Sequence, residues 1–209
     1  ALHPDGVTVA SGQIGKNDKI FVFNSETLEI YAELKTYTTF TNGGVLAIDF
    51  SKDGKLLAVV GGSETDSSLI VFDWRSTAIV AAGKGNTAPV HALKFSPNNK
   101  EFFLVGSKTF KYITWGDSVL QRRNCILGSY SLEDAYCVEF CGNKTYVGSA
   151  SGDLLLFNGH SLAESKPAHT GPLYCIVATK SGGPLTGGKD GKVKLWAKDA
   201  MVVLTTLEV

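Results

Sequence analysis

The sequence has 209 residues, with 20 Lys and Arg against 20 Asp and Glu, so its formal net charge is zero. That length can bury a sizeable core, and the charge balance excludes a general electrostatic attraction to nucleic acid or to anionic membranes. No apolar run approaches the roughly 18 residues of a membrane span, so we expect a soluble intracellular protein without nucleic-acid or membrane partners.

One sequence motif repeats along the chain with substitutions. A truncated copy, HPDGVTVASG (3–12), opens the chain and is followed by KIFVF (19–23). The later copies are VLAIDFSKDGKLLAVVGG (45–62), VHALKFSPNNKEFFLVGS (90–107), AYCVEFCGNKTYVGSAS (135–151) and LYCIVATKSGGPLTGG (173–188). Each full copy predicts an alternating strand, a turn rich in Pro, Asp, Asn and Gly, and a second strand.

A third strand with an aromatic end follows each copy. These aromatics fall 51, 41, 42 and 39 residues apart, at Phe23, Trp74, Trp115, Phe157 and Trp196. A period near 40 residues built from short strands is typical of a propeller blade. The sequence therefore predicts an all-β protein, a β-propeller with almost no helix, and about five four-stranded blades at approximately 1–40, 41–86, 87–131, 132–168 and 169–209.

Five copies, of which the first lacks most of its initial strand, do not predict a closed ring. Propellers have four to eight blades, and WD-type propellers usually have seven. We therefore expect the chain to be part of a larger propeller.

The last copy contains GGPLTGGKDGK (182–192), which has most of the spacing of a phosphate-binding loop. Asp190 stands where such a loop needs Ser or Thr, and the following KVKLW alternates as a strand instead of starting a helix. Asp190 and Gly191 are better interpreted as a hairpin corner. No nucleotide and no cofactor are predicted.

The cysteines also argue against a cofactor. The chain has Cys125, Cys137, Cys141 and Cys175, with no C-x-x-C pair. Cys137 and Cys141 would share one face of a strand, but zinc needs two further ligands there. Buried cysteines are common on strands, so we predict reduced thiols and no metal site.

The innermost strand of each blade offers one equivalent position, just after its first apolar residue. It is occupied by Leu46, His91, Tyr136 and Tyr174. These side chains are expected near one rim of the central channel, where they either contact a protein partner or merely pack around the channel. The same strands carry Asp49 and Glu139, but strand parity directs both away from His91, so no enzyme is predicted.

A second candidate contact is a basic groove on the outer strands of the third blade. It consists of Lys108, Lys111, Arg122 and Arg123. Such a groove would attract an acidic protein surface. The alternative is a solvated hairpin edge that charge protects from pairing with other strands.

The stretch PAHTGPLYC (167–175), followed by LTGGKDGKVKLW (185–196), resembles a WD repeat. Ala168 and His169 stand in the place of the Gly-His pair, and Trp196 stands in the place of the Trp of Trp-Asp. The resemblance implies a hydrogen-bonded structural network of His169, Thr186, Asp190 and Trp196.

A narrower resemblance covers nearly the whole chain. In order, ALHPDGVTVASGQIG (1–15), VFDWRS (71–76), GSKTFKYITW (106–115), GSASGDLLLFNG (148–159) and AHTGPLYC (168–175) resemble the echinoderm microtubule-associated protein-like family. The resemblance places the chain in the first of two tandem propellers and implies a non-enzymatic cytoplasmic protein of the cytoskeleton that binds tubulin or microtubules. The alternative is a general WD-repeat scaffold for signalling or ubiquitin transfer, which docks peptide motifs of other proteins on the channel rim.

Overall fold

The computed structural model describes residues 1–14, 19–36, 43–63, 66–198 and 201–208. These residues form short strands, and none of them lies in a helix long and apolar enough to cross a membrane. The first two sheets contain β1 (Thr8–Gly12), β2 (Lys19–Asn24), β3 (Ile30–Lys35), β4 (Gly44–Phe50), β5 (Leu56–Ser63), β6 (Asp66–Asp73) and β7 (Ala78–Lys84).

Three further sheets follow in the same manner. The third contains β8 (Val90–Phe95), β9 (Glu101–Gly106), β10 (Thr109–Gly116) and β11 (Val119–Asn124). The fourth contains β12 (Ala135–Cys141), β13 (Lys144–Ser149), β14 (Asp153–Asn158) and β15 (Ser161–Pro167). The fifth contains β16 (Leu173–Ala178), β17 (Pro184–Gly188), β18 (Lys192–Trp196) and β19 (Val203–Glu208).

Within every sheet, strands that follow one another in the chain lie side by side. Local hairpins therefore build each sheet, as the recurring turn signals predict. Four sheets have four strands each, but the first has three, in the order β1-β2-β3. The prediction of about five antiparallel blades is confirmed, and the first blade has one strand fewer because the first copy of the repeat lacks most of its initial strand.

The chain divides into two compact units. The first unit comprises Ala1–Phe102 and Ile113–Gln121, and the second comprises Phe103–Tyr112 and Arg122–Val209. Sheets one and two belong to the first unit, sheets four and five to the second, and the strands of the third sheet contribute residues to both. Each unit buries its own apolar cluster, with Leu57 and Ile70 fully buried in the first and Leu154 and Leu173 in the second.

The turn of the second sheet shows how the sequence sets these hairpins. Ser51 Oγ donates a hydrogen bond of 2.6 Å to Asp53 Oδ1, which closes the turn from within. Gly54 follows with φ of 70°, a conformation that glycine adopts without steric cost. A Cβ added at Gly54 would also lie 2.1 Å from His3 Nε2, so this position requires glycine for two reasons.

Each outer strand of the first, second, fourth and fifth sheets contains a β-bulge. The bulged residues are Tyr31, Val80, Ala163 and Leu204. A bulge twists the strand and disrupts the edge that another sheet could otherwise extend.

These bulges fix the alignment of the repeats and correct one prediction. The residues next to the bulges on the third strands are Phe23, Phe72, Phe157 and Trp196. Trp74 therefore lies two residues beyond the equivalent position, and it does not correspond to Trp196. Trp74 Nε1 instead donates a 2.8 Å hydrogen bond to the carbonyl of Gly54 in the turn between the first two strands of its sheet. Trp115 Nε1 makes the same contact, also of 2.8 Å, with Asn99 O.

Candidate interaction surface

Three of the four positions predicted for the channel rim are bulges in the innermost strands. The pairing register skips one residue in β4, β12 and β16, namely Leu46, Tyr136 and Tyr174. A bulge removes a residue from the in-and-out alternation of the strand and changes the direction of its side chain. The repeat predicted the position of these residues, but not the bulge that orients them.

The structure brings two of the four rim residues into contact. The rings of Tyr136 and Tyr174 have centroids 5.7 Å apart and are inclined by 48°. Tyr174 is 53% exposed. Leu46 and His91 belong to the first unit, where they are half-buried on β4 and β8, two strands that pack together. A partly exposed tyrosine pair offers apolar area with polar tips, as protein interfaces commonly do.

Charged residues further along the inner strands serve the fold. Lys94 Nζ lies 3.1 Å from Asp49 Oδ1, while the backbone N–H of Phe95 donates a 2.8 Å hydrogen bond to Asp49 Oδ2. Glu139 Oε1 accepts a 3.0 Å hydrogen bond from the N–H of Phe140. Both carboxylates are buried and already have partners. The part of the chain that the structure describes holds no cluster of His, Cys, Asp or Glu suited to a metal ion.

The basic residues predicted for the third blade lie on β10, on β11 and in the turn before β10. Lys108 occupies that turn with φ of 46°, and its backbone N–H donates to Asp134 Oδ1 at 3.1 Å. Lys111 Nζ donates a 2.9 Å hydrogen bond to a side chain of β11. Arg122 and Arg123 are exposed neighbours on β11, so they point to opposite faces of the strand. The four cations, named the cationic edge below, therefore lie on the outer two strands of the sheet and in the adjacent turn, and they do not line one groove.

The four residues of the network implied by the WD-repeat resemblance are joined by hydrogen bonds. His169 Nδ1 lies 2.8 Å from Asp190 Oδ1, and its Nε2 lies 2.8 Å from Thr186 Oγ1. Trp196 Nε1 donates to the same hydroxyl at 2.9 Å. The network connects the segment before β16 to β17, to the corner between β17 and β18, and to the end of β18.

Thr186, His169 and Asp190 stand in the order of a hydroxyl nucleophile, a base and an orienting acid. However, His169 is buried and Thr186 is 1% exposed, and the threonine hydroxyl also receives the indole N–H of Trp196. A substrate carbonyl cannot reach this hydroxyl, so the arrangement can brace the sheet but cannot act as a nucleophile.

The acid of this network is held in its charged form. Burial alone would raise the pKa of Asp190, but hydrogen bonds from His169 and from the backbone N–H groups of Thr170 and Lys192 lower the pKa to about 2. The carboxylate is therefore ionised at any physiological pH.

The sequence analysis missed a second network, which lies at the corresponding corner of the fourth sheet. Ser151 donates to Glu133 twice, from Oγ to Oε1 at 2.7 Å and from its N–H to Oε2 at 3.0 Å. The hydroxyl of Tyr130 contacts Glu133 Oε1 and lies 3.0 Å from Asp153 Oδ2. Ser149 Oγ lies 2.9 Å from Ser151 Oγ and accepts the N–H of Asp153 at 3.0 Å. The alignment of Ser151 with Asp190 in the repeat was the signal that could have revealed this site.

Hydrogen bonds also set the charge states in the second network. Burial would raise the pKa of Glu133, but hydrogen bonds from Tyr130, Ser151 and Ser149 outweigh it and lower the pKa. Burial and the contact with Glu133 raise the pKa of Tyr130. The Glu133 carboxylate is thus an anion that accepts hydrogen bonds, and the neutral Tyr130 hydroxyl donates one to it.

The cysteines are free thiols, and Cys137 and Cys141 are buried on their strand. Burial raises the pKa of Cys125 and of Cys137 to about 12 in each case. Because the thiolate is the reactive form, these two side chains are poor nucleophiles and poor metal ligands.

Comparison with known proteins gives a match over the entire chain. The family model described as "Echinoderm microtubule-associated protein first beta-propeller" matches residues 1–209. Echinoderm microtubule-associated protein-like 4 of Homo sapiens is 30% identical over 227 residues, covering 95% of this chain and 23% of that protein. The 77 kDa echinoderm microtubule-associated protein of Strongylocentrotus purpuratus is 28% identical over 214 residues, covering 95% of this chain and 31% of that protein. The chain thus spans less than a third of the length of these relatives.

A solved structure shows the same fold. The β-propeller domain of Cps50 (Swd1) from Myceliophteria thermophila superposes with a TM-score of 0.81 at 14% sequence identity. The superposition covers all of this chain and 71% of that one. The prediction of a β-propeller is confirmed, and the chain corresponds to a part of that solved propeller.

Proposed function

The chain belongs to the echinoderm microtubule-associated protein family, as its first β-propeller, and from this premise we propose that it is a non-enzymatic interaction platform that binds tubulin or microtubules. Its proposed location is the cytoplasmic cytoskeleton. The relatives are named as microtubule-associated proteins. A platform without a cofactor fits the two networks, whose polar groups bond to one another.

The cationic edge of the third sheet is the observation that carries this proposal. Lys108, Lys111 and Arg123 have no ion-pair partner among the residues that the structure describes, and the exposed Arg122 extends the same edge. Several cations close together on the outer strands of one sheet raise the local potential and accelerate the approach of an acidic surface. Tubulin, whose surface is acidic, is a partner of this kind.

The inner rim is the proposed second contact. The rings of Tyr136 and Tyr174 contact each other, and about half of the surface of Tyr174 is exposed to solvent. Rigid aromatic side chains lose little conformational entropy when they bind, so they often dominate the energy of an interface. Leu46 and His91 occupy the equivalent positions in the first unit and would add contacts there.

Microtubule co-sedimentation of the 209-residue chain across a salt series tests the proposal. One variant carries Glu at the four edge positions 108, 111, 122 and 123. A matched control changes net charge equally by placing Glu at four exposed lysines elsewhere, Lys55, Lys84, Lys100 and Lys180. We expect the parent chain to pellet with microtubules at low salt, and this pelleting to weaken steeply as salt rises to about 0.15 M. The edge variant should not pellet, whereas the control variant should pellet as the parent chain does.

Two results would contradict tubulin binding through this edge. The first is no pelleting at low salt, and the second is an equal loss in both variants. In either case the Tyr136–Tyr174 pair favours the second candidate function, a scaffold that docks peptides on the rim. Peptide binding of that kind should barely respond to salt and should be lost when Tyr174 is changed to Ser.

A further inference from the structure

An apolar patch lies on the hairpin that joins β2 to β3. Leu28 is 70% exposed, Ile30 is 60% exposed and Tyr31 is 46% exposed, all within four positions. Single exposed apolar residues are ordinary on a protein surface, but a contiguous group marks a contact site or an aggregation hazard. Tyr31 is also the bulged residue of β3, which takes its side chain out of the strand alternation.

Hydrogen bonds hold this patch in one conformation. Asn24 Oδ1 accepts the backbone N–H groups of Glu26 and Thr27 at 2.8 and 3.0 Å, while the N–H of Leu28 donates to Asn24 O at 2.9 Å. Asn24 Nδ2 donates to the hydroxyl of Tyr31 at 2.9 Å. One asparagine therefore organises the turn and also positions the aromatic ring. A surface fixed in advance loses less entropy when a partner binds.

The choice of leucine in this turn is not explained by the fold. Leu28 has φ of 61°, a left-handed conformation that is unfavourable for a bulky side chain. In the equivalent turn of the second sheet, Asp73 Oδ1 accepts the N–H groups of Arg75 and Ser76, and the residue with φ of 60° is Thr77. The turn thus needs a positive φ but not an apolar residue. Leu28 is strained and exposed, so packing within the chain does not compensate its cost.

The patch is flanked by negative charge. Glu26 and Glu29 are exposed, and neither forms an ion pair with any residue in the described ranges. A pocket of about 400 Å³ opens beside Tyr31 and is also lined by Trp74 and Arg75. Arg75 already stacks 4.2 Å from the Trp74 ring centroid and donates to the backbone of the second sheet.

We propose that Leu28, Ile30 and Tyr31 form a docking surface for an amphipathic segment of another protein, whose apolar side chains are flanked by Lys or Arg. The apolar residues cover the patch, and the basic residues pair with Glu26 and Glu29. This surface does not rest on the proposed function. It selects a partner of the opposite charge from the one that the cationic edge of the third sheet would attract.

Binding of designed peptides to the 209-residue chain tests the docking surface. The probe is a labelled helical peptide of about 18 residues with Leu and Phe on one face and Lys on its flanks. There are two control peptides. In the first, every Lys is replaced by Glu, and in the second, the residues of the basic peptide are in scrambled order. Fluorescence anisotropy measures affinity, and amide chemical shifts of the isotope-labelled chain locate the contact.

The variants use the chain's own internal control. Leu28→Thr installs the residue that the equivalent turn of the second sheet already carries at the same φ, so the fold is kept. We expect it to weaken binding at least about tenfold, as loss of a central apolar contact does. Glu26→Gln with Glu29→Gln should weaken binding about tenfold at low salt. Ile79→Thr removes an exposed isoleucine from the corresponding strand of the second sheet, and it should change nothing.

The expected result is saturable binding of the basic peptide alone, with shifts confined to residues 24–31 and their neighbours. The proposal is overturned if no peptide binds saturably, if the acidic peptide binds equally well, or if Leu28→Thr and Ile79→Thr weaken binding to the same extent. Concentration-dependent self-association that Leu28→Thr abolishes would identify a second copy as the occupant and would overturn it too.

Discussion

The fourth and fifth sheets brace the same corner with different chemistry. In the fifth sheet the acid, Asp190, lies on the corner and its partner His169 lies before the first strand. In the fourth sheet the acid, Glu133, lies before the first strand and the donor, Ser151, lies on the corner. Acid and donor have exchanged places, yet both arrangements tie the entering chain to the hairpin. The fold needs a satisfied charge-assisted contact at this point, not a particular residue.

The depth of the two networks is the second difference. Trp196 carries the fifth network to the end of the third strand, because its indole N–H donates to Thr186. The equivalent residue of the fourth sheet is Phe157, which has no donor, so that network stays at the partly exposed corner and uses Tyr130. We therefore expect changes in the fifth sheet to cost more stability than changes in the fourth.

The largest expected effect is that of His169→Ala. The change leaves the buried Thr186 hydroxyl and the Asp190 carboxylate without their shared partner, and should lower the free energy of unfolding by about 3 kcal/mol. Urea denaturation followed by circular dichroism measures this value. His160→Ala, at a half-buried turn outside both networks, serves as the control, and an equal loss in both variants would show that the network is not special.

Trp196→Phe should have the next largest effect, because it gives the fifth sheet the aromatic of the fourth. The ring volume is partly kept while the donor to Thr186 is lost, so a loss of about 1–2 kcal/mol is expected. The same denaturation experiment with Trp115→Phe provides the comparison. If Trp196→Phe is neutral, the indole hydrogen bond contributes nothing to the fifth sheet.

Tyr130→Phe should cost less, about 0.5–1 kcal/mol, because the hydroxyl is only partly buried. The variant also removes a donor from Glu133, so the pKa of that carboxyl should rise. Side-chain carbon chemical shifts recorded during a pH titration measure the pKa directly. A pKa of Glu133 that is unchanged in the variant would mean that the tyrosine does not stabilise the carboxylate.

Acid should produce the smallest difference, because it changes the charge of one carboxylate and leaves every side chain of the network in place. The folded-state pKa of about 2 lies below the ordinary value of 3.8. The unfolded chain therefore binds this proton more tightly, so the contribution is present above about pH 4 and is lost as the pH falls toward 2. The stability gap between the parent chain and Asp190→Asn should narrow in that window. Asp117→Asn, at an exposed turn, should show no such narrowing.

Sequence alone predicted the parts of this molecule that repeat. The period near 40 residues predicted the sheets, and the resemblance of the stretch from His169 to Trp196 to a WD repeat implied a network whose atoms lie within hydrogen-bond distance. The prediction that Trp74 ends the third strand in the manner of Trp196 is wrong, because two aromatic residues, Phe72 and Trp74, fall in that region and the repeat alone does not distinguish them. Only the pairing register shows that Phe72 holds the position.

The Glu133 network could not be predicted in the same way. Its members reach one another through the path of the segment before β12, and only Ser151 shares a repeat position with the fifth network, that of Asp190. Nor does the sequence show that Arg122 and Arg123 separate onto two faces until β11 is known to be an extended strand. The local sequence pattern predicts the strands and turns. Which side chains come into contact depends on the paths of the loops and on the pairing register of the strands.

The bulges on the innermost strands have one more consequence. A bulged residue has no partner of its own in the ladder, so its identity is only weakly constrained by strand pairing. Leucine and tyrosine already share this place in β4, β12 and β16. Each of these three blades therefore offers one side chain that can change during evolution without a change in the sheet beneath it. Specificity can drift at these positions while the scaffold stays the same.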